Sequence, residues 1–265
     1  MNKFWKVIFL AAVVAGQVTG SVWAARSLVV GPSRFDLALK PGESDMQVIR
    51  VTNDGDEPMA VETLVEDLFV RQDGTPYYGP PSTGSQSCAT WVRVNPPAFD
   101  LGPGETQIVR FNLGVPNDAV GSRYAVVFFR SLSPLPGSNS LGVSSKIGSI
   151  IVLDIAGTAP MAGDLTALRI IPPAENDTRH YQALVQMKNE GLAQFRVSGN
   201  IWIKTQDQGS LVFSQHFDPV TVVPGATRDI TIEGPATLPP GEYNLSAEVE
   251  YPKEVIEGAH HFRVD

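Results

Sequence analysis

The stretch VNPPAFDLGPGETQIVRF, Val94 to Phe111, sets the fold class. Pro96-Pro97 ends one extended segment, because proline fixes φ and offers no N–H to a ladder. Pro103-Gly104 turns the chain, since glycine supplies the positive φ that tight reversals need. From there the residues alternate. Val109, Phe111, Leu113 and Val115 are apolar, whereas Arg110, Asn112 and Gly114 are not. Successive side chains on a strand point to opposite faces, so this run has one dry face and one wet face. Thr106 to Val115 therefore reads as a strand crossing a sandwich.

The same punctuation runs along the chain. Tyr243, Leu245, Ala247, Val249 and Tyr251 alternate with Glu242, Asn244, Ser246, Glu248 and Glu250. Tyr181, Ala183, Val185 and Met187 alternate with Gln182, Gln186 and Lys188, and Leu184 is the exception. Turn signals such as Asn53-Asp54-Gly55, Gln72-Asp73-Gly74, Asn189-Glu190-Gly191, Pro224-Gly225 and Pro240-Gly241 separate the runs. The 24 Gly and 21 Pro are spread rather than clustered, which points to many short strands. Strands with one wet face form antiparallel sheets packed in pairs.

A repeat is visible in that grammar. The first half reads VTNDGDEP, then LGPGETQIVRF, then VPNDAVGSRYAVVFF. The second reads MKNEGLAQ, then VVPGATRDITI, then LPPGEYNLSAEVEY. Strand, Asn-x-Gly turn, Pro-Gly turn, strand, Pro-containing turn and Tyr-bearing strand recur in one order. Two copies predict two sandwiches in tandem, 26–157 and 158–265, joined near Ala156 to Gly163.

The first 25 residues read as a secretory signal. Lys3 and Lys6 precede the apolar Val7 to Ala15, and Val22-Trp23-Ala24 resembles a small-residue cleavage site. The apolar core is shorter than the roughly 20 residues of a spanning helix, so a soluble, exported, monomeric protein is expected. The net charge is −8 and grows more negative when Lys3 and Lys6 leave. Such a chain disfavours nucleic acid and anionic membranes as partners. The single Cys88 excludes an internal disulfide and reads as a small buried residue near Trp91.

Catalytic grammar is missing. His260-His261 would face opposite ways on a strand and cannot chelate one ion together. Glu62 and Glu66-Asp67 fall in an alternating run and read as a wet face. No phosphate-binding Gly loop, nucleophile elbow or metal spacing stands in the sequence. Neither an enzyme nor a cofactor-binding protein is expected.

The first half resembles the N-terminal domain of the PapD-like periplasmic chaperones that assemble pili. The resemblance runs from about Leu28 to Ile155. It is carried by Ser33-Arg34 on the first strand and Val51-Thr52-Asn53 before the first turn. The block Pro96, Pro97, Phe99, Leu101, Pro103, Gly104 and the turn Val115-Pro116-Asn117-Asp118 complete it. The second half shares only the general grammar. The resemblance implies an immunoglobulin-like fold, a periplasmic location and capture of a protein subunit by strand donation.

It also implies site residues. The donated strand corresponds to Leu141 to Gly157, where Leu141, Val143, Ile147 and Ile151 share one parity. Arg34 corresponds to the arginine that holds a subunit's C-terminal carboxylate. The lysine expected beside it is displaced, because Lys146 stands several residues too early. Plainer readings accompany both. The plainer reading of Arg34 is an exposed edge arginine paired with Asp36 or Glu43. The run Ile147 to Ile155 is apolar on both parities, as Ile150 and Val152 show, and reads equally as core. The alternative function is a structural or adhesive immunoglobulin-like module without chaperone activity. A free edge at 141–155 favours the chaperone, and a covered one favours the module.

Overall fold

A computed structural model describes residues 27–131, 145–157, 159–173, 180–252 and 254–265. The leader, Leu141 and Val143 lie outside the described residues. Nearly everything described is strand. The one helical element among the described residues is a 3-10 turn over Ala89–Trp91.

Ten strands build the first sandwich: β1 (Leu28–Gly31), β2 (Arg34–Leu39), β3 (Ser44–Asn53), β4 (Met59–Val70), β5 (Pro76–Gly79), β6 (Val92–Asn95), β7 (Ala98–Leu101), β8 (Thr106–Gly114), β9 (Ser122–Ser131) and β10 (Lys146–Ile155). One sheet runs β1-β3-β8-β6, and the other runs β2-β10-β9-β4-β5 with β7 also on β4. The opening stretch is β6, turn, β7, turn and β8, as its prolines and glycines dictate. Val109, Phe111 and Leu113 are buried, and Arg110 and Asn112 face out. Phe35 meets Phe111 edge to face across the core, with ring centroids 5.1 Å apart.

Seven strands build the second sandwich: β11 (Gly163–Ile171), β12 (Gln182–Asn189), β13 (Phe195–Thr205), β14 (Leu211–Val222), β15 (Thr227–Glu233), β16 (Gly241–Tyr251) and β17 (Glu254–Val264). Its sheets run β11-β12-β15 and β14-β13-β16-β17. Among the described residues no strand is shared between the two halves, and each half has its own core of buried side chains. The fold is all-β, two immunoglobulin-like sandwiches in tandem.

One pairing departs from the antiparallel expectation. β2 lies parallel to β10, with Arg34 opposite Ile150 and Leu39 opposite Ile155. The chain leaves β1 in one sheet and enters β2 in the other, so it closes the sandwich along one side.

The sequence repeat is realised as a repeated hydrogen-bond device. Asn53 and Asn189 are both fully buried. Asn53 Nδ2 donates to the carbonyls of Glu57, Leu101 and Gly102, and Oδ1 accepts from Gly55 N–H. Asn189 Nδ2 donates to Ala193 and Val222, and Oδ1 accepts from Gly191 N–H. In both halves a Pro-Gly turn closes onto the asparagine main chain. Gly104 and Gly225 each donate to that asparagine's carbonyl, at φ of 72° and 70°. That left-handed conformation explains glycine at both positions.

Candidate functional site: an open strand edge beside an inter-sandwich cleft

β10 is half covered. From Ile150 onward it lies between β9 and β2. Before Ile150 only β9 pairs with it among the described residues. In an antiparallel pair the N–H and C=O of one residue share a side, and successive residues alternate. Ser145 exchanges hydrogen bonds with Ser131 at the end of β9, whereas Ile150 N–H donates to Ser33 on the opposite side. Lys146 and Gly148 share the parity of Ile150. Their main-chain groups therefore point away from β9, at an edge that β2 does not reach.

The side chains sort by parity. Ile151, Leu153 and Ile155 are buried core, and Ile147 is partly buried against that core. Ile151 thus faces the interior of its own sandwich, where a partner does not reach its side chain. The outward parity lies over aromatic surface. Lys146 Nζ sits 4.0 Å from the Phe128 ring centroid and 2.7 Å from both Glu66 carboxylate oxygens.

Arg34 opens the cleft between the sandwiches. Its guanidinium binds Asp36 through Nε and Nη2, at 2.7 to 3.0 Å. The Asp36 hydrogen bond raises the pKa of Arg34 against the effect of burial, and the Arg34 hydrogen bond lowers that of Asp36. Lys146 is four residues from Ile150, Arg34's strand partner, which is about 13 Å along a strand. The two cations are not brought together. The position that closes the cleft beside Arg34 is an acid, Asp154. A cavity of about 610 Å³ is bounded there by Arg34, Asp36, Asp154, Gln194, Phe195 and Arg196. A smaller one of about 200 Å³ shares Arg34 and reaches Tyr124, Val152 and Arg228.

Two joints hold the cleft walls. At the first, Ser122 N–H donates to Leu192 O, Gln194 N–H donates to Ser122 Oγ, and Gln194 Nε2 donates to Asp154. Tyr124 Oη hydrogen-bonds Gln194, and burial raises its pKa. A Cβ on Gly121 would stand 2.1 Å from Leu192 O, so only glycine permits this approach. At the second joint the turn after β4 reaches across. Asp229 N–H donates to Gln72 O, and Gln72 Nε2 donates to Asp229.

Asp67 corrects the wet-face reading. Glu62 and Glu66 do face outward, to Arg130 and Lys146. Adjacent residues point to opposite sides of a strand, and Asp67 is only 1% exposed. It accepts from the N–H groups of Ser82, Thr83 and Gly84 and from the Thr83 and Ser87 hydroxyls. That ties down the loop whose Gln86 carbonyl receives Tyr124 N–H. Burial alone would raise the Asp67 pKa. The hydrogen bonds from Ser87, Gly84 and Thr83 outweigh it, and the net shift is downward. A depressed carboxylate pKa stabilises the fold above the unfolded value of about 3.9, and that contribution is lost as pH falls through the folded value. Asp67→Asn should cost about 1–3 kcal/mol at neutral pH, from donors left without an anionic acceptor. Urea melts at pH 7 and pH 3 should show the difference from wild type shrinking at pH 3. An equal difference at both pH values would remove the charge from the account.

Cys88 is fully buried and burial pushes its thiol up to about 12, which fits a packing residue. Trp91 N–H donates to its carbonyl. His261 pairs with Glu242. No group of three or more potential metal ligands occurs among the described residues, and none of their helices is long and apolar enough to cross a membrane.

No protein-family model and no curated protein matches the sequence. The structure is similar to the class 5 fimbriae chaperone CfaA, with 13% identity, a TM-score of 0.47, and 88% of this chain and 98% of that chain covered. It is also similar to the E. coli chaperone DraB, with 17% identity, a TM-score of 0.41, and 91% and 98% covered. A third similar structure is the CsuC–CsuE chaperone–tip adhesion subunit pre-assembly complex from archaic chaperone-usher Csu pili of Acinetobacter baumannii. Identity is 14%, TM-score 0.43, and coverage 87% and 97%.

Proposed function

We propose that the chain is an exported, non-enzymatic assembly chaperone that captures a partner protein by adding the first part of β10 to an open sheet in that partner. The observation that carries this reading is the main-chain edge at Lys146 and Gly148, with Ile147 between them, which no strand pairs among the described residues. Strand addition takes its affinity from main-chain hydrogen bonds and its specificity from alternate side chains entering pockets. Leu141 and Val143, outside the described residues, share the sequence parity of Ile147. Export rests on the leader grammar of Lys3, Lys6 and Val7 to Ala15, and the division into functional units at 157/158 rests on the sequence repeat.

Arg34 stands where a partner's C-terminal carboxylate would enter the cleft. Asp36 already occupies its fork, so docking a carboxylate there requires displacement of Asp36. Main-chain pairing therefore carries most of the affinity. The covered stretch Ile150 to Ile155 confines donation to what precedes it. Coverage of the whole strand would have favoured the structural module.

Lys146→Pro removes an N–H from the open edge, and proline is tolerated on an edge. Lys146→Ala keeps the N–H and gives up the Glu66 ion pair and the contact with the Phe128 ring, each worth at most about 1 kcal/mol at a partly exposed site. Tagged wild type and Lys146→Ala should retrieve the same exported protein from periplasmic extract, and Lys146→Pro should not. Equal retrieval by Lys146→Pro would sink strand addition at this edge.

A further inference from the structure

The outward face of the β1-β3-β8-β6 sheet has no role in the reading above, because it lies on the sheet that does not contain β10. Its charged residues share one sign. Arg50 on β3, Arg110 on β8 and Arg93 on β6 all point outward and are exposed. No Asp or Glu occupies an outward position of these strands, and no ion pair to these three arginines occurs among the described residues. The nearby acids are engaged elsewhere. Asp45, of inward parity, accepts from Gln47, and Glu105 accepts from Gly102 N–H. The net charge of the chain is −8, so this face runs against the whole.

The register sets the geometry. Arg50 is opposite Ile108, Val48 is opposite Arg110, and Arg93 is opposite Asn112. Arg50, Arg110 and Arg93 are thus successive diagonal neighbours across three strands, about 7–8 Å apart at each step. Apolar residues flank the line. Met46 and Val48 lie on one side and Ile108 on the other, and Met46 is 63% and Ile108 38% exposed.

We propose that this face docks an extended acidic segment of a partner protein, with carboxylates at every second residue. An extended chain repeats a side every 6.6–6.8 Å or so, which matches the arginine diagonal. Guanidinium forks bind carboxylates bidentately. Residues beside the acidic positions cover Met46, Val48 and Ile108. Charge complementarity selects an acidic segment over a basic or neutral one.

The probe is a fluorescein-labelled peptide of three Glu-Val repeats, read by anisotropy on the full mature chain. The triple substitution Arg50→Gln, Arg93→Gln, Arg110→Gln should weaken binding by on the order of tenfold or more. A peptide with Gln in place of Glu should bind wild type equally weakly, and 0.5 M salt, which shortens the Debye length to about 4 Å, should weaken the Glu peptide alone. Met46→Ser should weaken it further without touching the salt dependence. Unchanged melting temperature in each variant keeps the comparison with the folded state, and Lys146→Pro should bind the peptide like wild type. Equal binding by the triple variant, equal binding of the Gln peptide, or binding only to phosphatidylglycerol vesicles would overturn the proposal.

Discussion

Ile151→Asp should unfold the first sandwich, whereas Ile147→Asp should leave it folded and unable to hold a partner. The two residues share a strand and a parity and are four positions apart. Ile151 is fully buried among the core residues, between β9 and β2. An unpaired carboxylate there costs more than about 4 kcal/mol. Domains of this size are stable by only about 5–15 kcal/mol. Ile147 is partly buried, and among the described residues its part of the strand is paired on one side only. A carboxylate there reaches water, at a cost nearer 1 kcal/mol. If Ile147 fills a partner's pocket, the same carboxylate is desolvated on binding and capture fails. Circular dichroism melts separate the first effect, and retrieval of the partner from periplasmic extract separates the second. Unfolding by Ile147→Asp would make Ile147 core and hand the function to the structural-module reading. Normal capture by a folded Ile147→Asp would move the partner elsewhere on the chain.

That contrast marks where sequence reading stops. The strand Lys146 to Ile155 is legible from its β-branched residues, but both parities are apolar over Ile150 to Leu153. Period-2 alternation cannot tell a twice-covered strand from an exposed donor. The deciding fact is how far β2 extends along β10, a non-local pairing between residues more than a hundred positions apart. The turn grammar fared better, because Gly and Pro act through their own backbone and need no distant partner. The burial of Asp67 is not legible in the sequence for the opposite reason. Its strand neighbours are wet, and its five donors come from a loop at Ser82 to Ser87 that no periodicity announces. Arg34 was found by resemblance, and of its two suggested acidic neighbours it takes Asp36. A strand places residues two apart on one face, and that brings this pair together.

Asn53→Ala and Asn189→Ala should each destabilise their own sandwich by about 3 kcal/mol or more. Each amide is fully buried and stands at the junction of an Asn-x-Gly turn and a Pro-Gly turn. Alanine at position 53 removes the amide's hydrogen bonds to three carbonyls and from the Gly55 N–H. Each hydrogen bond lost in this way costs about 0.5–1.5 kcal/mol, with partial relaxation reducing the sum. Position 189 loses two carbonyl contacts and the Gly191 N–H, so its penalty should be the smaller. Asn→Asp at each site keeps the volume and the acceptor, and it replaces the donor with a carboxylate oxygen aimed at carbonyls. If amide donation holds the turns, Asn53→Asp should be at least as damaging as Asn53→Ala at neutral pH. If volume alone matters, Asn53→Asp should be nearly silent. Urea unfolding followed by a tryptophan signal distinguishes these outcomes, since Trp91 belongs to the first sandwich and Trp202 to the second. The pairing of one asparagine with one sandwich follows from the separate cores. A shift of both transitions by either single substitution would mean that the cleft joints at Ser122–Gln194 and Gln72–Asp229 couple the two halves strongly enough to unfold as one.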